Sequence, residues 1–126
     1  MLTDVILPVL ERYANISEII ISHGRQETAF NYTSRRCRIV HREDWGDINE
    51  TYGLSRRFLA AKDVVNDIIL HHDDDLVLPE RALDQLLLHY QRQPDVIHCV
   101  RANNTSPVTF SYKYCSVKDG LRPDTP

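Results

Sequence analysis

Glycine is scarce, with four residues in 126. A phosphate-cradling loop or a dinucleotide-binding turn needs several glycines at fixed spacing, so both are excluded. The three cysteines, Cys37, Cys99 and Cys115, are odd in number and form no CxxC pair. They argue neither for a disulfide scaffold nor for a structural zinc site. None has a base beside it in sequence, so they read as small buried apolar side chains, not nucleophiles. No apolar run approaches the roughly 20 residues that span a bilayer. The first residues, Met1-Leu2-Thr3-Asp4, carry an acid where a secretory signal carries positive charge. A basic excess is missing too: 15 Lys and Arg against 18 Asp and Glu give a net charge of −3. This removes the electrostatic case for a nucleic-acid partner.

What remains suits one globular domain, with 42% apolar residues and no internal repeat. Asn15, Asn31, Asn49, Asn103 and Asn104 head N-x-S/T sequons, which matter only in a secretory lumen. Val5, Ile6, Val9, Leu10 and Tyr13 recur at three- and four-residue spacing and predict a first helix, with Thr3 as its cap. Ile19-Ile20-Ile21 is β-branched and fully apolar, as in a strand covered on both faces. Residues 25–36 read as loop and Cys37 to Val40 as a second strand. Leu54, Phe58, Ala61 and Val65 share one face of a second helix, and Ile68-Ile69-Leu70 reads as a third strand. Pro79 opens a strongly amphipathic helix carrying Leu83, Leu86, Leu87 and Tyr90, and Pro94 stops it. Val96-Ile97 to Val100 is a fourth strand, Val108 to Tyr114 an extended stretch, and the end of the chain a flexible tail. Apolar strands alternating with amphipathic helices predict an α/β sandwich with a mainly parallel sheet.

The chemistry concentrates in Asp73-Asp74-Asp75, directly after the third apolar run. Ligands of open α/β sheets bind beyond the carboxyl ends of the strands. Three adjacent carboxylates repel one another there unless a cation compensates them. Mg²⁺ or Mn²⁺ prefers such oxygens and holds substrate phosphates at the same time. In an extended segment Asp73 and Asp75 point to one side and can share a metal, while Asp74 faces elsewhere. The blander reading is a solvated acidic loop before a helix N-terminus. Arg56 and Arg57 precede the triplet, and one of them, Arg57 by choice, would offset its charge. The basic cluster Arg35, Arg36, Arg38 and Arg42 reads as a solvated loop and strand edge, and Trp45 as half-buried packing. His71, on the face of Asp73, opens a second possibility: a metal-dependent phosphohydrolase.

The stretch Ile68-Ile69-Leu70-His71-His72-Asp73-Asp74-Asp75-Leu76-Val77-Leu78-Pro79-Glu80, then a helix, then Gln93-Pro94-Asp95-Val96-Ile97, resembles the exostosin-like glycosyltransferases of family 64. Ile16 to Ile21 is similar to that family's second strand. Arg57-Phe58 stands where the family has an arginine followed by an apolar residue. The resemblance runs from about Leu7 to Arg101. It implies a GT-A fold, a Rossmann-like α/β/α sandwich. Residues 1–115 would form a partial nucleotide-sugar-binding domain, incomplete at both ends, and 116–126 a flexible tail. It implies transfer from a UDP-sugar to a glycan or glycoprotein acceptor, with Mn²⁺ (or Mg²⁺) held by Asp73 and Asp75. The nucleotide-sugar would be held by Asp73, Asp74, Arg57 and His23. His23 stands where the family tends to have Asn, and Tyr52 replaces another family Asn. The catalytic residue is not identified by the resemblance. A Golgi or ER lumen is implied if the chain is part of a longer eukaryotic family member, and the cytoplasm otherwise. A non-catalytic remnant or interaction module of the same ancestry is the alternative.

Overall fold

The computed structural model describes residues 2–103, 111–117 and 123–124, with side chains for residues 2–100. The chain divides into two compact units, Met1–Val77 and Leu78–Pro126. Together they make a mixed α/β protein whose first unit holds a small parallel two-stranded sheet.

The first unit opens with a wide π-type turn, Leu2–Ile6, followed by α1, Leu7–Leu10. Pro8 has no N–H to give to the carbonyl of Asp4, so a regular α ladder cannot run through this point. The helical stripe survives with a shifted phase. Ile6, Leu7, Leu10 and Tyr13 are buried, whereas Val5 is exposed. Strand β1, Glu18–His23, pairs in parallel with β2, Arg38–Glu43, in the register Ile21↔His41 and His23↔Glu43. The ladder extends beyond both ends, with Arg38 N–H donating to Ser17 O and Asp44 N–H donating to His23 O, each at 2.9 Å. Ile21 and Cys37 complete the buried apolar set of this unit, and Cys37 is a free thiol.

After β2 come α2, Asp47–Tyr52, and α3, Arg56–Leu59, with 3₁₀ turns at Gly53–Ser55 and Ala60–Asp63. Gly46 and Gly53 bracket α2 at φ +71° and +52°, a region that side chains disfavour. The predicted long helix over 54–65 is therefore broken into short turns. Its intended core face lies outward, with Leu54, Phe58 and Val65 at 80%, 63% and 71% exposure. Polar anchors hold the inner side instead: Arg56 reaches Ser22 and Asn49, and Asp63 receives Arg42.

The predicted third strand is corrected. Ile68-Ile69-Leu70 makes no ladder, and Ile68 and Ile69 are exposed. The approach to it is tied down by a carboxylate, because Glu18 Oε1 accepts from Val65 N–H, Asn66 N–H and Asn66 Nδ2. Glu18 Oε2 takes Arg38 at 2.7 Å. Burial works to raise the Glu18 pKa, but these bonds together outweigh it and leave the carboxyl below its ordinary value.

In the second unit Pro79 is the N-cap of α4, Glu80–Arg92, and Leu83 N–H donates to its carbonyl at 3.1 Å. Leu83 is buried and Leu86, Leu87 and Tyr90 half-buried, so the amphipathic face is as predicted. Pro94 ends the helix region, and His98 Nε2 bonds Gln93 O at 2.8 Å. Strand β3, Ile97–Asn103, follows. It pairs antiparallel with β4, Ser111–Val117, which pairs antiparallel with β5, Pro123–Asp124. The mainly parallel sheet expected for the whole chain is thus realised only in β1–β2. A strand that returns through a short connection can only pair antiparallel. Of the expected extended stretch, Val108 to Phe110 lie outside the described residues. So do 118–122 and 125–126 of the expected tail, while Ser116, Val117, Pro123 and Asp124 lie in β4 and β5. Cys99 is disulfide-bonded, and the register sets Cys115 opposite it. This corrects the expectation of unpaired cysteines, because odd number and spacing cannot show which residues a sheet register brings face to face.

Candidate functional site

The carboxyl ends of β1 and β2 carry a polar network. Asp44, 1% exposed, accepts from Ser22 Oγ at 2.6 Å and from Arg42 Nε and Nη2, each at 3.1 Å. Arg42 Nη1 continues to Asp63. Asp44, then Asp63, hold the Arg42 guanidinium even more firmly protonated than usual. Arg56 Nε donates to Ser22 Oγ at 3.2 Å, and its Nη1 donates to Asn49 Oδ1 and Gly53 O at 3.0 and 3.2 Å. The guanidinium lies over Gly24, where a Cβ would fall 2.6 Å from Arg56 Nη2. A larger residue at 24 would displace it. Arg42-x-Asp44 and Ser22-His23-Gly24, each at a strand end, were the sequence signals for this network, and spacing alone did not connect them.

Beside the network lies a histidine pair. His23, 7% exposed, shares a 2.8 Å hydrogen bond between its Nε2 and His41 Nδ1. The rings stack at 5.1 Å, and Phe30 sets its edge on His23 at 4.8 Å. His41 Nε2 lies 2.9 Å from Tyr32 O and 3.2 Å from Tyr32 N. Either His41 donates to the carbonyl and accepts from His23, or Tyr32 N–H donates to His41, which then donates to His23. In both arrangements one ring donates and the other accepts across the 2.8 Å contact. The Tyr32 phenol is pushed up to about 12 by burial and by its bond to Glu11. The loop between the strands is thereby fixed at Tyr32 from two sides.

Burial, then the neighbouring His41, lowers the His23 pKa below 6.5, against the opposing pull of Asp44 and Glu43. Partial burial, then Arg57, lowers His71 likewise. The unfolded chain therefore binds protons at these positions before the folded one does, and stability falls as pH drops below 6.5. Urea midpoints taken at pH 7.5 and 5.5 should show this loss, and His23→Gln should flatten the dependence. A midpoint that does not move would refute it.

The acidic triplet is exposed, with Asp74 and Asp75 in a turn. Arg57 Nη2 donates to Asp73 Oδ1 at 2.8 Å, both side chains being substantially open to solvent. His72 Nδ1 bonds the Asp73 carbonyl, while its Nε2 is buried without a partner. His71 rests against the edge of Phe58 at 5.1 Å. Among the described residues no three His, Cys, Asp or Glu side chains converge as a ready ligand cluster. Mg²⁺ and Mn²⁺ do not require one, since one or two carboxylates together with substrate phosphates suffice. The exposed oxygens of Asp73 and Asp75 fit that donor chemistry.

The structure thus brings Arg57 to Asp73 and keeps Asp74 and Asp75 adjacent in the turn. It places the His23 ring in the buried pair, with Nε2 already engaged. Of the basic cluster, Arg35, Arg36 and Arg38 are exposed, as expected, and Arg42 is half-buried, but Arg36, Arg38 and Arg42 are anchored to the fold. Arg36 donates to four carbonyls, those of Glu11, Tyr13, Ala14 and Ile16, at 2.5–3.0 Å. Arg38 binds Glu18, and Arg42 binds Asp44 and Asp63. Trp45 is half-buried, as expected. No helix of the described residues is long and apolar enough to cross a membrane. The chain matches no protein-family model, and no curated protein or solved structure is significantly similar to it.

Proposed function

We propose that this chain is a metal-dependent, GT-A-type glycosyltransferase domain that binds a UDP-sugar through Asp73, Asp74 and Asp75 and serves a glycan or glycoprotein acceptor. The observation that carries this reading is the exposed triplet turn with the Arg57 cation set on Asp73. Two further features agree with it. The strands β1 and β2 are parallel, as in nucleotide-binding α/β sandwiches, and Glu18 ties the segment leading to Ile68 to the start of β1.

Asp73 and Asp75 would hold Mn²⁺ or Mg²⁺, which when bound supplies charge neutralisation for a departing diphosphate. Arg57 then has a second task. An exposed ion pair is worth little, so the guanidinium can leave Asp73 for a phosphate oxygen at small cost. Asp74 lies beside both and is free to accept from a sugar hydroxyl. The Asp44 network keeps the end of the sheet rigid.

Calorimetric titration of UDP with and without Mn²⁺ tests the reading. With metal, affinity should rise by about tenfold or more, roughly 1.4 kcal/mol. Asp73→Asn/Asp75→Asn should abolish the gain. Equal binding without metal, or a double variant that behaves like the parent, sinks the proposal. Metal-dependent binding without sugar transfer identifies the non-catalytic alternative.

A further inference from the structure

Six asparagines occur in the chain, and five of them head sequons. Serine and threonine together number 14 of 126, so chance places one of them two residues after about one asparagine in nine. Fewer than one sequon is expected and five are present. Such an excess points to a compartment where the motif is read. The bonded state of Cys99 points to the same place by different chemistry, because structural disulfides persist in oxidising lumens and are rare where thiols are kept reduced.

The sequons differ in what their asparagines are doing. Residues 29–34 are free of helix and strand, and burial alternates along them: Phe30 and Tyr32 half-buried, Asn31 and Thr33 exposed. The inward pair is held by named contacts, Phe30 against His23 and His41, and Tyr32 by His41 and Glu11. Alternation then sets the Asn31 amide and the Thr33 hydroxyl on the same outward side, where a modifying enzyme reads both. Asn49 is the opposite case. It lies within α2, only half exposed, and its Oδ1 accepts from Arg56 at 3.0 Å.

We propose that Asn31 is an N-glycosylation site of a chain that resides in an oxidising secretory lumen, and that Asn49 is left unmodified. In the step itself the Asn31 amide nitrogen forms a bond to the anomeric carbon of a lipid-diphosphate-linked oligosaccharide. The bond from that carbon to the diphosphate oxygen breaks, the lipid diphosphate leaves with the electron pair, and the amide gives up one proton. No electron is transferred and no oxidant is required. The proposal stands apart from the sugar-nucleotide reading, because neither Asn31 nor Thr33 touches the triplet.

Peptide mapping of the full chain isolated from its natural cells tests this, with N-glycosidase treatment in heavy-oxygen water. The peptide containing Asn31 should appear as aspartate carrying the heavy label, and the peptide containing Asn49 as unlabelled asparagine. In the same cells, Asn31→Gln and Thr33→Ala should each lose one glycan-sized step on a gel, and Thr33→Ser should retain it. Thr33→Ser keeps the hydroxyl that the sequon needs, so loss of the glycan step in Thr33→Ala but not in Thr33→Ser separates a lost acceptor site from a folding defect. Recovery of Asn31 unlabelled, or a Cys99 thiol that alkylates without prior reduction, would overturn the proposal.

Discussion

Asp44→Ala is expected to cost about 3–5 kcal/mol, the range for removing one partner of a buried ion pair. Asp44 is 1% exposed and accepts three hydrogen bonds, one from Ser22 and two from Arg42. Without it Arg42 keeps only Asp63, and Ser22, which also holds Arg56, loses its acceptor. The damage therefore crosses from β2 to β1 and on to α3. Since small domains are stable by about 5–15 kcal/mol, this one change can take most of the margin. Urea denaturation of the variant beside Ser22→Ala gives the comparison. Ser22→Ala removes a neutral donor and should cost about 1 kcal/mol. A loss below about 1 kcal/mol for Asp44→Ala would mean that water replaces the carboxylate and that the network is not structural.

The second large effect is expected at Arg36. Its guanidinium satisfies carbonyls of Glu11, Tyr13, Ala14 and Ile16, the groups a helix leaves orphaned as the chain turns toward β1. Charge-assisted bonds of this kind are worth about 1.5–3 kcal/mol when dry, but Arg36 is exposed and water competes for its acceptors. Arg36→Ala should therefore cost about 1–2 kcal/mol, and Arg36→Lys nearly as much, because an ammonium cannot span four acceptors with a planar fork. Hydrogen exchange localises the outcome, with the amides of Tyr13 and Ile16, which bond within this turn, expected to lose protection first. If Arg35→Ala destabilises as strongly, the clamp has been misread.

These two residues also show what could be seen in advance. Arg36 stood in a recognised basic cluster, read as solvated because four cations close together in a sequence usually are. Nothing in the spacing shows that one of them folds back over a helix end. Asp44 was not singled out, since an aspartate between Glu43 and Trp45 looks like loop. Only the parallel register, which sets Ser22 beside Arg42, makes it the hub of a strand-end network. His23 stands at the end of an apolar run, and its pairing with His41 depends on the same register.

Composition and local pattern by themselves determined a mixed α/β chain, the amphipathic helix that Pro79 opens, the strand at Ile19–Ile21 and the acidic turn with an arginine sixteen residues before it. Those are short-range properties, set by side-chain period, proline chemistry and adjacent charge. Tertiary structure alone decided that Leu54 and Phe58 lie outward, that Ile68–Leu70 joins no ladder and that Cys99 is oxidised. Each depends on which segment comes to lie alongside, because a β-branched run becomes a strand only when a partner offers hydrogen bonds, and a cysteine becomes half a disulfide only when another chain segment brings a thiol opposite it.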